Sequence, residues 1–438
     1  MPRLPEGLDD RLAHLEALHP RGSAGIELGL ERVAAVKSRL AQHQTCPLIL
    51  VGGTNGKGST CAMLERILLV AGYRVGLYTS PHLLHYNERV RINGVAVDDA
   101  SLCAAFARVE QARGDVALTY FEFGTLAAWE VLAAAALDAI ILEVGLGGRL
   151  DATNVYQPDC AIVTGVDLDH MDFLGADREA IGREKAGIFR AGVAAICGDA
   201  KPPVSLIEQA TAIGARLQVL GLDFGYLRQE QQWLYWGRTA SDSGKLGAAA
   251  TIRRGGLALP ALRGAQQLAN AACALAALDV LHPHLPVAMK DIRQGLMAVE
   301  LAGRFQVLPG RPAVVLDVAH NPQAARVLAA NLADMGFHRN TWAVFGMLAD
   351  KDIDGVIDAL RARVSHWLPC ALPGPRAASA DSLAVRLQAR GIQPVGQFAA
   401  PAAALACAQE NAGEDDRILA FGSFLTVAAA LQELGRTR

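Results

Sequence analysis

The stretch LILVGGTNGKGST, Leu48 to Thr60, runs from an apolar, β-prone segment into a glycine cluster with one lysine, then into a helical pattern. A glycine-rich turn between strand and helix aims several backbone N–H groups at one spot, where the helix N-terminus adds positive potential. Phosphate is the natural guest of such a turn, with Lys57 as its counter-charge. The spacing departs from the usual G-x-x-x-x-G-K-[ST] loop, because Gly58 separates Lys57 from Ser59 and the upstream glycine is closer. On this stretch alone, a plain glycine turn with a solvated lysine stays open.

The chain has 438 residues, 52% hydrophobic and 19% charged, enough for two or three domains with substantial cores. A formal net charge of −3 offers no basic field for nucleic acid, and the five Trp and seven Tyr are not interleaved with Lys or Arg runs. Arg3, Glu6, Asp9 and Asp10 leave no apolar signal core near residue 1, which argues for the cytoplasm. The longest apolar region, Leu126 to Leu146, is broken by Glu130, Asp138 and Glu143, so no membrane span is expected. The eight cysteines are scattered without C-x-x-C or ligand-like spacing, and neither a disulfide nor a zinc site is expected.

Short β-type runs alternate with helix-length segments: PLILVGG, RVGLYTS, AIILEVG, CAIVTGV and AAICGD. That alternation predicts a parallel sheet covered by helices. Between about Leu217 and Leu262 aromatic and β-branched residues with glycine turns predict a small antiparallel insertion. Gly and Pro breaks near residue 300 mark a boundary, after which AVVLDVAH, TWAVFGM, HWLPCAL and RILAFGS alternate with helices again. The fold class is therefore α/β. A P-loop NTPase-like parallel-sheet domain with the insertion is expected over residues 1–300, and a smaller Rossmann-like α/β domain over residues 301–438.

DAIILEVGLGGRLDATN places Glu143 at the end of a buried strand, where a carboxylate needs a partner to stay charged. Magnesium beside the phosphate loop is one partner, and Arg149 is the alternative. Lys57, Ser59 and Glu143 meet if their strands are neighbours, since open α/β sheets bind ligands at the carboxyl ends of their strands. The Gly145–Gly148 run is not a dinucleotide fingerprint, because Leu150 stands where the third glycine belongs. VTGVDLDHMDFLG clusters Asp167, Asp169, His170 and Asp172 at the same expected edge. By residue type alone an aspartate is the better magnesium ligand, with His170 orienting it. YTSPHLLHYNERV brings Ser80 and His82 after the second strand, and IGREKAGIF puts Lys185 on a helix among charges, where a solvated face is the plain reading. LDVAHNP sets Asp317, His320 and Asn321 at a strand end before Pro322, which suits a helix start. No G-x-S-x-G elbow supports a serine hydrolase.

Together, IELGLERV, GGTNGKGST, YTSPHL, FEFGTLAA, LEVGLGGRLDATN, DLDHMDFLG, IGREKAGI, GRFQ, DVAHNP and FGMLADKD resemble, in order and over nearly the whole chain, the folylpolyglutamate synthases and bifunctional dihydrofolate synthases, relatives of the Mur ligases. The inserted glycine of the phosphate loop is that family's form. The resemblance implies that Thr54, Asn55, Gly56, Lys57, Gly58 and Ser59 bind ATP phosphates, and that Ser80, Glu143 and His170 hold Mg2+, in place of an aspartate. Lys57, His170 and Lys185 become the catalytic candidates. Lys185 matches a lysine often carbamylated by CO2 in the family, with the unmodified amine as the alternative. Asn270, Arg304 and Asp317, with His320 beside them, match nucleotide contacts reaching across a domain cleft. This chain has Gln266-Gln267 where the family has His-Gln.

The pterin-bearing substrate is expected near Ile26 and Glu27, at Thr119, Tyr120, Phe121 and Glu122, and at Leu150, Asp151 and Ala152. Phe121 is a candidate to stack on the flat ring and Asp151 to accept hydrogen bonds from its amino-pyrimidine edge, with a structural role open for each. The implied reaction joins L-glutamate to 7,8-dihydropteroate or to reduced folates through an acyl phosphate made from ATP. A folylpolyglutamate synthase with one acceptor class and a Mur-type ligase of peptidoglycan precursors are the alternatives. No nucleic acid or membrane partner is expected, and by family likeness the chain is a monomer.

Overall fold

The computed structural model describes residues 7–18, 27–40, 43–238 and 251–436. The first strands in chain order are β1 (Leu48–Gly52), β2 (Val75–Tyr78), β3 (Val90–Ile92), β4 (Val95–Ala96), β5 (Ala139–Glu143), β6 (Cys160–Val163), β7 (Ala194–Cys197) and β8 (Arg216–Val219). They form one sheet in the order β4-β3-β2-β5-β1-β6-β7-β8. From β2 to β8 all neighbours pair parallel, and β3 and β4 close one edge antiparallel. Every residue of β1, β2 and β5 is buried, which explains their unbroken apolar runs: a strand covered by helices on both faces has no polar side to show.

Arg216–Val219 corrects the expected insertion boundary. Its residues share the texture of the antiparallel strands downstream, yet β8 pairs parallel with β7, Leu217 opposite Ala195, and belongs to the large sheet. The antiparallel part begins later, as β9 (Phe224–Arg228), β10 (Gln232–Arg238) and β11 (Thr251–Ala258), ordered β11-β10-β9. Tyr235 of β10 donates its hydroxyl to Asp279 Oδ2 at 2.8 Å, and Arg254 of β11 pairs with Asp279 Oδ1 at 2.5 Å. Both ties reach the helix Gln266–Leu281, so the insertion is fastened to the helix that carries Asn270.

The chain divides into two compact units, Met1–Ala261 with Leu268–Val299, and Leu262–Gln267 with Glu300–Arg438. The second unit holds β12 (Gln306–Leu308), β13 (Ala313–Asp317), β14 (Thr341–Phe345), β15 (His366–Pro369) and β16 (Arg417–Phe421), ordered β12-β13-β16-β14-β15. All its neighbours are parallel except β12 against β13. Phe345, Trp367 and Phe421 fill its centre, with Phe345 stacked on Phe421 at a 5.0 Å centroid distance.

Candidate active site

The phosphate loop leaves β1 at Gly52 and enters the helix Lys57–Val70. Thr54 N donates to Gly165 O at 2.9 Å, Thr54 Oγ1 donates to Asp167 O at 3.1 Å, and Thr164 Oγ1 donates to Asn55 O at 2.6 Å. The loop is thus pinned to the segment leaving β6 before any ligand arrives. Gly56 has φ +90°, and a Cβ there would stand 2.4 Å from Oδ1 of the buried Asn270. Only glycine permits both the backbone angle and that approach. Lys57 Nζ donates to Gly53 O at 3.1 Å and Thr54 O at 3.3 Å, and Ser59 lies buried in the first helical turn.

Glu143 ends β5 opposite Val51 of β1 and is buried. Its Oε2 accepts from Ser80 N at 3.3 Å, so the end of β5 and the segment following β2 meet as neighbouring strands require. The alternative partner is otherwise employed: Arg149 Nη2 lies 2.7 Å from Glu184 Oε1. His170 follows β6, on the other side of β1. It has φ +51° and stands at the N-cap of the helix Met171–Leu174, with its N–H on Asp169 Oδ1 at 2.9 Å. Among the described residues no group of three or more His, Cys, Asp or Glu is placed to hold a metal ion. Ser80 and Glu143 nevertheless fit magnesium, which takes one or two protein oxygens and fills its octahedron with water and phosphate.

Lys185, on the helix Arg178–Ala186, is 3% exposed, so the expected solvated face is overturned. Burial first, and the Lys57 cation second, push its pKa down to about 7 against the pull of Asp169 and Asp151. Its helix packs on the glycine run after β5. A Cβ on Gly148 would stand 2.8 Å from Glu184 O and 3.0 Å from Lys185 Cα, both backbone atoms. Gly148→Ala is therefore expected to cost about 1–3 kcal/mol by overpacking. The check is a lower denaturant midpoint with an unchanged slope.

The candidates for the pterin site divide. Ile26 lies outside the described residues. Thr119 caps the helix Tyr120–Ala134, and its Oγ1 accepts from Glu122 N while Glu122 Oε2 accepts from Thr119 N. Glu122 Oε1 takes Arg32 Nη2 at 2.8 Å, and Arg32 also pairs with Glu27. Asp151 Oδ1 accepts from Thr153 N and Oγ1, and Oδ2 from Leu146 N. Burial raises its pKa. Both carboxylates thus hold their own backbone, and Asp151 is already engaged where a ligand contact was expected. The Phe121 ring packs against Gly145, where a Cβ would stand 2.4 Å from Cζ, while Leu150 stays half-buried and Ala152 buried. Tyr120 meets Tyr86 edge-on at 6.0 Å.

In the second unit, Asp317 ends β13. Its Oδ2 accepts from Phe305 N and its Oδ1 from Ala319 N, and burial pushes its pKa up to about 6 against Arg304 and His320. His320 Nδ1 donates to Val318 O at 2.8 Å, which fixes that tautomer, and Arg304 lies 5.0 Å over the Phe424 ring. Arg32, His82 and Arg89 are polar groups near the candidate residues; of these the motifs singled out only His82, and its partner Arg89 went unmarked. The T-x-x-E of Thr119–Glu122 was a legible capping box.

Family models of the Mur ligase middle domain and of the Mur ligase glutamate ligase domain match residues 51–278 and 303–424. The dihydrofolate synthase/folylpolyglutamate synthase of Escherichia coli (strain K12) is 43% identical over 439 residues, covering 100% of this chain and 98% of that protein. The solved E. coli FolC in complex with DHPP and ADP matches with a TM-score of 0.90 and 43% identity over 99% of both chains. A bifunctional folylpolyglutamate synthase/dihydrofolate synthase solved with Mn, AMPPNP and L-glutamate bound matches with a TM-score of 0.87 and 44% identity, again over 99% of both.

Proposed function

Because this chain belongs to the Mur ligase family, as a dihydrofolate synthase/folylpolyglutamate synthase, we propose that it uses ATP to ligate L-glutamate to 7,8-dihydropteroate and to reduced folates and their polyglutamates. The chemistry follows from the acceptor. A carboxylate acylates poorly because oxide would have to leave. Its oxygen therefore attacks the γ-phosphorus of ATP, the bond to the β-phosphate oxygen breaks, and ADP departs. The amine of glutamate then attacks the acyl carbon, phosphate leaves with the C–O bond electrons, and the amine loses a proton.

What most supports this reading is the pinned phosphate loop beside the buried Glu143, hydrogen-bonded to Ser80 at the adjacent strand end. Thr54 to Ser59 would cradle the phosphates, with Lys57 matched to the γ-phosphoryl group and Asn270 bracing the loop. Ser80, Glu143 and His170 would hold magnesium, which when bound neutralises phosphate charge. Arg304, Asp317 and His320 are assigned to the nucleotide in the ligase domain of residues 301–438. Lys185 is assigned as the carbamate carrier. The segments around Glu27, Thr119 to Glu122 and Leu150 to Ala152 are assigned to the pterin, with Thr119, Glu122 and Asp151 shaping its walls. A cytoplasmic location belongs to the same proposal, supported by eight free thiols.

The test is phosphate release with ATP, magnesium and L-glutamate, comparing 7,8-dihydropteroate with tetrahydrofolate, with product masses. Both acceptors are expected to stimulate turnover and to gain one glutamyl residue. Silence with both would reject the reading.

A further inference from the structure

The segment YTSPHLLHYNERV leaves β2 and returns as β3, so that Arg89 comes to stand against Thr79, whose N–H donates to Arg89 O at 2.9 Å. Ser80 is the next residue along. Glu88 closes the turn: its carboxylate accepts the N–H groups of Leu83 at 2.7 Å, Leu84 at 2.8 Å and His85 at 2.7 Å. Those three bonds engage Glu88 with its own loop. Arg89 Nε donates to His82 Nδ1 at 2.9 Å, and a ring nitrogen that accepts carries no proton, so His82 sits there as a neutral acceptor. The guanidinium lies 5.0 Å from the Tyr86 ring centroid and 5.7 Å from that of Tyr120.

No carboxylate pairs with Arg89 among the described residues, although Arg32, Arg91, Arg108 and Arg254 each have one. Arg89 is thus a half-buried cation seated on two aromatic rings and aligned through Nε. That leaves both terminal nitrogens as a planar fork, the shape that takes a carboxylate through two parallel hydrogen bonds. The rings already restrict the side chain, so little conformational freedom is lost when an anion binds.

The acceptors differ in their carboxylates. Dihydropteroate has one, which must react. A folate has two on its glutamyl tail, one reacting and one standing by. A fork gripping the reacting carboxylate would occupy the lone pairs that attack phosphorus, so the spectator is the better guest. Tyr120, under the guanidinium, belongs to the segment assigned to the pterin, and Ser80, next to Thr79, to the phosphate edge, which sets Arg89 between the ends of the acceptor.

Resting on the proposed function, we propose that Arg89 binds the non-reacting carboxylate of a glutamyl-bearing acceptor, aligned by His82, and so favours folate acceptors. The test is steady-state kinetics of the full chain and of Arg89→Ala and Arg89→Lys with both acceptors, and with a tetrahydrofolate whose spectator carboxylate is amidated. Arg89→Ala is expected to raise KM for tetrahydrofolate on the order of 10- to 100-fold, the scale of a charge-assisted hydrogen-bonded pair. KM for dihydropteroate and L-glutamate should stay within about threefold, with Arg89→Lys intermediate. The amide should bind the parent as weakly as tetrahydrofolate binds the alanine variant, and that variant should not distinguish the two. Turnover of dihydropteroate by the same preparation reports an intact fold. An equal loss with both acceptors, a raised KM for glutamate, or a parent indifferent to the amide overturns the assignment. Silence of the parent with both acceptors overturns the functional reading itself, and this assignment with it.

Discussion

Lys57→Ala is expected to lower glutamate-dependent ATP turnover by about 1000-fold, the scale of removing a preorganised charge from a phosphoryl-transfer site. The unfolding midpoint should barely move, because the hydrogen bonds of Lys57 Nζ go to the Gly53 and Thr54 carbonyls of its own loop. Alanine also suits the first turn of a helix. The pinning bonds from Gly165, Asp167 and Thr164 run through other atoms and survive. A second effect has a definite sign. Lys57 is one of the charges that depress Lys185, so its removal favours the ammonium form of Lys185 and raises that pKa. Lys57→Arg keeps the field at Lys185 but not the reach, and should restore the titration without restoring turnover. Measuring kcat and KM for ATP beside the thermal transition separates these effects. Near-normal turnover in the alanine variant would remove Lys57 from the γ-phosphate.

The parallel sheet was legible because a doubly covered strand must be apolar throughout, and LILVG and AIILE are, save for the terminal Glu143. The phosphate loop was legible because few residue types other than glycine tolerate its angles. The start of the insertion was not, since Arg216–Val219 looks the same whether it pairs parallel or antiparallel, and only the partner strand decides. At the site, sequence placed Glu143 correctly at a strand end but left Arg149 open as its partner. The choice fell to packing, which carried Arg149 to Glu184 instead. Lys185 sat in a charged string that reads as a solvated helix face. Its burial comes from Gly148 letting the GLGG segment close over that helix. Arg32 and Arg89 were invisible for a related reason: their partners lie on segments distant in sequence or emerge only when a loop folds on itself.

Lys185→Ala should be inactive in ligation and should regain part of its turnover when acetate or propionate is added. A buried amine with a pKa near 7 is largely uncharged just above neutrality, and its lone pair can attack the carbon of CO2. The N–C bond forms, one C–O π bond opens, and a proton leaves to water, turning a neutral amine into an anion in place. Lys57, which disfavours the ammonium form, attracts the carbamate. A small carboxylate diffusing into the space left by alanine would supply the same charge, while the neutral methyl alone would not. Stability carries its own signature. The folded pKa lies below the ordinary lysine value of 10.5, so the unfolded chain binds more protons between about 7 and 10.5. Stability in the parent therefore rises with pH across that window, and the cost of the buried ammonium is fully present below about 7. Alanine lacks that cost, so the variant should gain on the parent as pH falls from about 10.5 to about 7 and hold that gain below, while activity stays lost. Stripping dissolved CO2 from the parent should slow it, and bicarbonate should restore it. Full activity of Lys185→Ala without added carboxylate would reject the carbamate, and inactivity without any rescue would leave the amine itself as the working group.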